Sequence, residues 1–135
     1  AVVSLDVDRL KSINDQWGHA AGDLALVSVG ERLLKLLRKG DTVSRFGGDE
    51  FLILLDGVQH TQDVVCVVAK MLESVAEPIV IQGNAVTISV SIGIAIYPSD
   101  DLEIDELIRK SDEAMYYIKE HGRNGYRFFS NIEQG

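Results

Sequence analysis

Cysteine is nearly missing from this chain, because Cys66 is the only one among 135 residues. A single cysteine cannot form an internal disulfide, so the fold must depend on the burial of apolar side chains, and a reducing compartment fits. The apolar setting VVCVVA predicts that the Cys66 side chain is buried and unreactive.

Basic residues are also scarce, with 13 Lys and Arg against 21 Asp and Glu, for a formal net charge of -8. Proteins that bind long nucleic acids usually present a basic surface, so a nucleic-acid polymer is disfavoured as a partner. An excess of carboxylates suits a hard divalent cation, and such a cation can accompany a free nucleotide. A free nucleotide bound together with a metal ion therefore remains an acceptable ligand.

Long apolar runs are missing too: no stretch approaches the roughly 20 residues that cross a bilayer, and no signal-peptide pattern precedes the first strand. We therefore expect a cytoplasmic domain, although a full-length protein could be membrane-anchored. Residues 1–135 fit one domain. Because the chain opens at Ala1 inside a strand-like run, without an initiator Met or a lead-in segment, we expect a fragment of a longer, multidomain protein.

Apolar periodicity predicts alternating strands and helices. The predicted helices cover residues 10–17, 23–38, 61–77 and 102–121, with Ile104 on the buried face of the last. The predicted strands cover residues 1–7, a hairpin over 42–55, a central antiparallel strand over 86–97 and a short strand at 126–129. This order favours an α+β fold, ferredoxin-like or polymerase-palm-like, with a central antiparallel sheet flanked by helices.

The hairpin sequence RFGGDEF carries the sharpest chemical signal. Gly47 and Gly48 allow a backbone to approach a ligand closely, while Asp49 and Glu50 direct two carboxylates at the same place. Taken alone, the motif is equally compatible with an exposed turn whose acids are solvated.

A second acidic element, LDVD, ends the first strand with Asp6 and Asp8 on one face. Asp8 could cap the first helix, bind a ligand, or do both, whereas Asp6 has no such structural role. If the first strand pairs with the hairpin, Asp6 and Asp49 converge on one cation, and Mg²⁺ favours one or two carboxylates together with phosphate oxygens. Metal-dependent nucleotidyl transfer is the natural chemistry of that arrangement.

Two basic residues, Lys119 and Arg123, lie four apart at the end of the last helix. If the helical turn persists, they reach one region and could clamp a triphosphate. Basic residues near a helix C-terminus are also favoured by the helix dipole, so the pair taken alone favours a purely structural role.

Two further pairs have both a functional and a structural interpretation. Asn14 and Asp23 could read a guanine edge, but Asp23 could also be a cap or first-turn acid of the second helix. Arg38 and Asp41 could bind guanine or phosphate, but could also form a surface ion pair.

Over essentially its whole length the chain resembles GGDEF domains, the diguanylate cyclases. The resemblance rests on three segments and the intervals between them: GGDEF at 47–51, DVDRLKSINDQWGHAAGD at 6–23, and SDEAMYYIKEHGRN at 111–124. It implies an enzyme that condenses two GTP into cyclic di-GMP and releases pyrophosphate.

The resemblance also implies roles for individual residues. Asp6, the Val7 carbonyl and Asp49 would bind two Mg²⁺ or Mn²⁺ ions, with Glu50 near the reacting 3′-hydroxyl. The implied GTP-binding residues are Asn14 and Asp23 for guanine, Gly47 and Gly48 along the hairpin, and Lys119 and Arg123 for the β- and γ-phosphates. Arg38 and Asp41 fall at the RxxD motif of the family, which implies an inhibitory site for the product.

The resemblance further implies that two domains, each with one GTP, face each other, so activity requires a homodimer. A covalently linked sensory or phosphodiesterase domain is expected, because the tail YRFFSNIEQG resembles the junction into a phosphodiesterase domain. Arg9 and Leu10 depart from the bulky aromatic or His-Phe pairs of many members, which could alter packing near the nucleotide.

Two rival functions are open at this point. A phosphatase of the haloacid dehalogenase type also ends a strand in DxD, but it leaves the GGDEF hairpin unexplained. The second rival is a catalytically silent module that binds GTP or cyclic di-GMP and regulates an adjacent domain. The acids and basic residues named above are all retained, which favours the enzyme.

Overall fold

A computed structural model describes residues 1–45 and 48–134, with side chains as far as residue 131. The strands are β1 (Val2–Val7), β2 (Thr42–Arg45), β3 (Glu50–Leu54), β4 (Ile79–Ile81), β5 (Asn84–Val86), β6 (Val90–Ala95) and β7 (Gly125–Phe128). The helices are α1 (Leu10–Trp17), α2 (His19–Leu36), α3 (Thr61–Val75), α4 (Ile104–Glu120) and α5 (Phe129–Gln134).

The main sheet has the order β2-β3-β1-β6-β7, and β4 pairs with β5 in a separate two-stranded sheet. Every residue of β1 and β6 is buried, as expected for inner strands that are covered on both faces, whereas the third inner strand, β3, is buried only at alternate residues. The α+β class with a palm-like sheet is confirmed.

The two faces of the sheet have different coverings. Val3, Leu5 and Val7 on β1 belong to a large apolar cluster to which α2 and α3 contribute Val29, Leu33, Val64 and Val68. On the opposite face α4 packs closely: the Ser4 and Ser111 hydroxyls are hydrogen-bonded at 2.7 Å. Because side chains alternate along a strand, Asp6 shares the face of Ser4 and looks toward α4.

The predicted antiparallel sheet is in fact mixed, because β7 runs parallel to β6. The two strands are joined by α4, and a helical crossover returns the chain in the same direction. The predicted strand 86–97 is also divided: β5 leaves the main sheet to pair with β4, and only β6 enters the centre.

Three smaller predictions were wrong. The second helix begins at His19, not at residue 23, because Gly18 (φ 93°) ends α1 and starts α2 at once. Ile104 is half exposed at the first residue of α4. Cys66 is exposed on α3, whose core-facing residues Val64 and Val68 flank it.

Candidate active site

Three acids from two distant segments meet at one edge of the sheet. β1 and β3 are antiparallel, and Asp6 lies directly opposite Glu50 in their register. The Val7 N–H donates to the Asp49 carbonyl at 3.2 Å, so the chain before β3 still follows β1. The Asp49 carboxylate is also near enough to raise the pKa of Asp6. The predicted pairing of the first strand with the hairpin is therefore confirmed.

Asp6 is buried, and its two carboxylate oxygens have different surroundings. Oδ2 pairs with the Lys119 ammonium of α4. Oδ1 is buried and accepts no hydrogen bond from the described residues. Burial raises the pKa of Asp6 to about 6; Lys119 opposes this shift and Asp49 adds to it.

Glu50 has an unexpected neighbour, Asp112 on α4. Burial is the main cause that raises the pKa of Glu50 to about 7, and hydrogen bonding and repulsion from the Asp112 carboxyl add to it. The two residues line a small cavity of about 110 Å³ beside Ser4 and Ile108. Sequence reasoning missed Asp112, because only the packing of α4 on the sheet brings position 112 beside β3.

The prediction that Lys119 and Arg123 reach one region required a helix that continues through both residues. The structure shows no such helix, because Arg123 lies beyond the end of α4. α4 ends at Glu120, and the chain then turns through Gly122, Arg123 (φ 60°) and Asn124 (φ 49°). The Arg123 N–H donates to the Ile118 carbonyl at 2.9 Å, which closes the helix end, and its side chain is exposed. Arg123 thus belongs to the loop between α4 and β7, while Lys119 is held at Asp6.

Asp8 is buried and is not a helix cap. The residue before α1 is Arg9, in the left-handed region (φ 56°), and its side chain forms no capping hydrogen bond. Asp8 instead accepts from the Ser89 hydroxyl at 2.7 Å, the Ser91 hydroxyl at 2.6 Å and the Asn124 N–H at 3.0 Å. It thereby ties the loop that carries Arg123 to the end of β1.

The α1–α2 corner places Asn14 against the buried Gly22, and the next residue, Asp23, is exposed. Asp23 lies in the second turn of α2 and is neither its cap nor a first-turn acid. Its predicted structural role is therefore wrong, and its carboxylate is accessible to a ligand.

The glycine pair is described only in part. Gly47 lies outside the described residues, so its contact with a nucleotide stays a prediction. Gly48 is exposed, and no atom of the described residues lies within 4 Å of the point where a Cβ would stand. Its carbonyl accepts from Arg45 Nη2 at 2.8 Å.

Arg38 and Asp41 lie apart from the acids, at a cavity of about 510 Å³ between the loop that follows β3 and helix α3. The Asp41 side chain is only 4% exposed, and its oxygens accept from the Arg38 N–H at 2.9 Å and the Asp56 N–H at 3.0 Å. The Arg38 side chain is 68% exposed, and its Nε lies 3.8 Å from Asp41. Asp41 therefore has a structural role in the turn, while Arg38 can receive a ligand. Lys70 of α3 supplies a second cation to the wall.

A hard divalent cation fits the acids around Asp6. No three His, Cys, Asp or Glu side chains form a complete metal cluster within residues 1–45 and 48–134. Mg²⁺ does not need one, because it takes one or two carboxylates and completes its shell with water and phosphate oxygens. The buried, unpartnered Oδ1 of Asp6 is a donor oxygen of the kind such an ion requires.

The described part of the chain contains no helix with the length and apolar character needed to cross a bilayer.

Comparison with known proteins finds relatives that are named as diguanylate cyclases. The bifunctional diguanylate cyclase/cyclic di-GMP phosphodiesterase MucR of Pseudomonas aeruginosa is 42% identical over 131 residues, which are 97% of this chain and 19% of MucR. The diguanylate cyclase TpbB of the same species is 40% identical over 94% of this chain and 29% of TpbB. This chain therefore spans less than a third of either relative.

Solved structures agree with this result. The GGDEF domain of TpbB superposes with a TM-score of 0.91 at 39% identity, over 94% of this chain and 80% of that one. An EAL/GGDEF domain protein from M. capsulatus gives a TM-score of 0.87 at 46% identity, over 95% and 83%. Residues 1–125 match the family described as "Diguanylate cyclase, GGDEF domain". The chain belongs to the GGDEF domain family.

Proposed function

We propose that this chain is a cytoplasmic diguanylate cyclase domain, which condenses two GTP into cyclic di-GMP and releases pyrophosphate. The observation that carries the proposal is the register of β1 and β3. This register sets Asp6 opposite Glu50, with Asp49 beside Val7. Lys119 from α4 pairs with Asp6 at the same place. The family and its cyclase relatives support the same chemistry.

Asp6, the Val7 carbonyl and Asp49 would hold Mg²⁺ or Mn²⁺. When bound, such ions neutralise phosphate charge and lower the pKa of a nearby hydroxyl. One Asp6 oxygen has no partner among the described residues and could serve this purpose, while its other oxygen pairs with Lys119.

The remaining residues would bind and orient the nucleotide. A triphosphate offers Lys119 an alternative anion to Asp6, and Arg123 lies in the loop that follows α4. Asn14 and the exposed Asp23 would read guanine, while Gly47 and Gly48 let the nucleotide lie along the hairpin. Glu50 would act near the reacting 3′-hydroxyl, where a raised pKa suits proton transfer close to neutral pH.

Two GTP molecules must react with each other, so we propose that the active form is a homodimer with facing sites. Product would bind at the Arg38 guanidinium, with Asp41 holding the turn that presents it, and would inhibit the enzyme. The exposed guanidinium at the mouth of a cavity of about 510 Å³ supports this assignment. A linked sensory or phosphodiesterase domain is proposed, because relatives such as MucR are much longer than this chain.

The test is nucleotide analysis after the dimerised protein is incubated with GTP and Mg²⁺. Wild type should yield cyclic di-GMP and pyrophosphate, and Asp49→Ala or Glu50→Ala should abolish product with an unchanged circular dichroism spectrum. Asp15→Ala removes an exposed acid of α1 and serves as the matched control. Product at the wild-type rate from either hairpin variant refutes the assignment. GTP binding without any product from wild type favours the regulatory binding module.

A further inference from the structure

Gly22 leaves space that the side chain of Asn14 occupies. A Cβ built on Gly22 would stand 1.8 Å from Asn14 Oδ1 and 2.8 Å from its Cγ. Real Cβ atoms essentially never approach another heavy atom below 3.0 Å. With any residue other than glycine at position 22, the Asn14 carboxamide must therefore move.

The carboxamide is held there by packing. Asn14 Oδ1 is buried and accepts no hydrogen bond from the part of the chain that the structure describes. The main chain of Asn14 is anchored separately, because its carbonyl accepts from the Gly18 N–H at 2.8 Å at the end of α1. The backbone of Asn14 is thus fixed while its side-chain direction depends on the shape of Gly22.

The same helical turn carries an accessible acid. Gly22 is buried against α1, and the adjacent Asp23 is exposed. The Gly22 N–H donates to the Gly18 carbonyl at 3.4 Å, so the start of α2 and the end of α1 form one corner. A displaced Asn14 carboxamide would therefore change its position relative to the Asp23 carboxylate, while the backbone of the corner stays as it is.

We propose that Gly22 is a positioning residue that sets base selectivity, by seating the Asn14 carboxamide beside Asp23. This inference rests on the proposed function, in which Asn14 and Asp23 read guanine. A guanine edge offers the N1–H and 2-amino donors to a carboxylate, whereas adenine presents an acceptor at N1. Selectivity depends on holding the polar groups in place, because a misplaced group leaves donors and acceptors unpaired.

The experiment measures equilibrium binding of Mg²⁺-GTP and Mg²⁺-ATP to this chain and to its Gly22→Ala variant. Wild type should prefer GTP, and Gly22→Ala should lose about tenfold or more in GTP affinity, together with most of the preference over ATP. Gly30→Ala is the matched control on the same helix, because its Cβ would meet only the Phe51 ring, at 3.4 Å from Cε1 and 3.8 Å from Cζ. It should bind both nucleotides within about twofold of wild type, because its Cβ displaces no atom and does not touch Asn14 or Asp23.

Thermal melting and side-chain NMR separate positioning from damage to the fold. The atoms that must move are the end of a flexible side chain, so the melting temperature of Gly22→Ala should not fall. The Asn14 side-chain amide resonance should shift in Gly22→Ala and stay in place in Gly30→Ala. An unmoved Asn14 resonance, or a wild-type ratio of GTP to ATP affinity in Gly22→Ala, overturns the inference.

A double variant covers the case in which Gly22→Ala fails to fold. Asn14→Ala removes the conflicting atoms, so Asn14→Ala combined with Gly22→Ala should fold and bind GTP like Asn14→Ala alone. A double variant that is as unstable as Gly22→Ala places the conflict elsewhere and refutes the positioning role. A wild-type chain that binds ATP as well as GTP instead refutes the proposed function. Because binding alone is read, the outcome for Gly22 does not depend on product formation.

Discussion

Replacing Asp8 by alanine should strongly destabilise the protein. Asp8 is 3% exposed and accepts hydrogen bonds from the Ser89 and Ser91 hydroxyls and from the Asn124 N–H. These donors come from the start of β6 and from the loop before β7, so one carboxylate joins segments that are more than 80 residues apart from it in sequence.

The expected loss of unfolding free energy is the sum over these hydrogen bonds, reduced for the partners that water can replace. A hydrogen bond to a charged group contributes about 1.5–3 kcal/mol, so three would contribute roughly 5–9 kcal/mol if additive. Ser89 is half-buried and Asn124 is exposed, so water can replace two of the lost partners, and only the fully buried Ser91 hydroxyl is stranded. We therefore expect Asp8→Ala to cost about 3–5 kcal/mol of unfolding free energy. That is a fall of about 10–20 °C in Tm for a domain of this size.

Urea unfolding followed by circular dichroism measures this loss. Asp8→Asn keeps the shape and one acceptor oxygen, and should lose less than half as much. Asp15→Ala removes an exposed acid from α1 and should stay within about 0.5 kcal/mol of wild type. An Asp8→Ala midpoint equal to that of Asp15→Ala would show that the three hydrogen bonds do not stabilise the fold.

Three further perturbations have expected outcomes. Gly93→Ala should cost about 3 kcal/mol or more in urea unfolding, because its Cβ would stand 2.0 Å from the Ser111 carbonyl and the α4 backbone would have to move. Asp112→Ala should lower the pKa of Glu50 from about 7 in a ¹³C NMR titration, without reaching the ordinary value, because burial is the largest cause and remains. Arg38→Ala should relieve inhibition of the cyclase by added cyclic di-GMP, since the guanidinium is 68% exposed and its hydrogen bond to the Asp56 carbonyl is long, at 3.3 Å.

Each of these changes has a control on the same chain. Gly30→Ala, whose Cβ makes only an ordinary contact, should be neutral or stabilising. If Gly93→Ala has the same urea midpoint as Gly30→Ala, the packing argument is wrong. Glu113→Ala, on the exposed side of α4, should leave the pKa of Glu50 unchanged. If Glu50 titrates identically in Asp112→Ala and Glu113→Ala, the Asp112 carboxyl does not act on Glu50. Lys39→Ala should keep the wild-type inhibition constant, and the same constant in Arg38→Ala would remove the product site.

Patterns along the chain predicted most of the elements and the main meeting of acids. Alternating apolar residues and paired glycines identified β1 and the β2–β3 hairpin, and their pairing brings Asp6 near Asp49 and Glu50. These signals are local, because a strand or a tight turn is encoded by a few consecutive residues.

Local patterns gave wrong predictions in segments of uniform character, because such a segment does not show which way its side chains point or where a strand ends. In VVCVVA every residue is apolar, so composition could not distinguish the faces of α3. The helical period places Cys66 about 200° from Val64 and therefore on the exposed side. The stretch 86–97 alternates throughout, yet only β6 joins the main sheet, because β5 pairs with β4 instead.

By itself, then, the sequence determined the family, the α+β class and the identity of the acids on β1 and the hairpin. Tertiary structure alone decided which partners those groups have: Lys119 for Asp6, Asp112 for Glu50, the serines for Asp8, and Gly22 for Asn14. For Asp6, Asp8 and Glu50 the physical reason is distance along the chain, because these contacts depend on strand order and on the packing of α4 against the sheet. Gly22 and Asn14 are near in sequence, but they meet only because α2 folds back onto α1. Neither kind of packing leaves a periodic signal in the residues that meet.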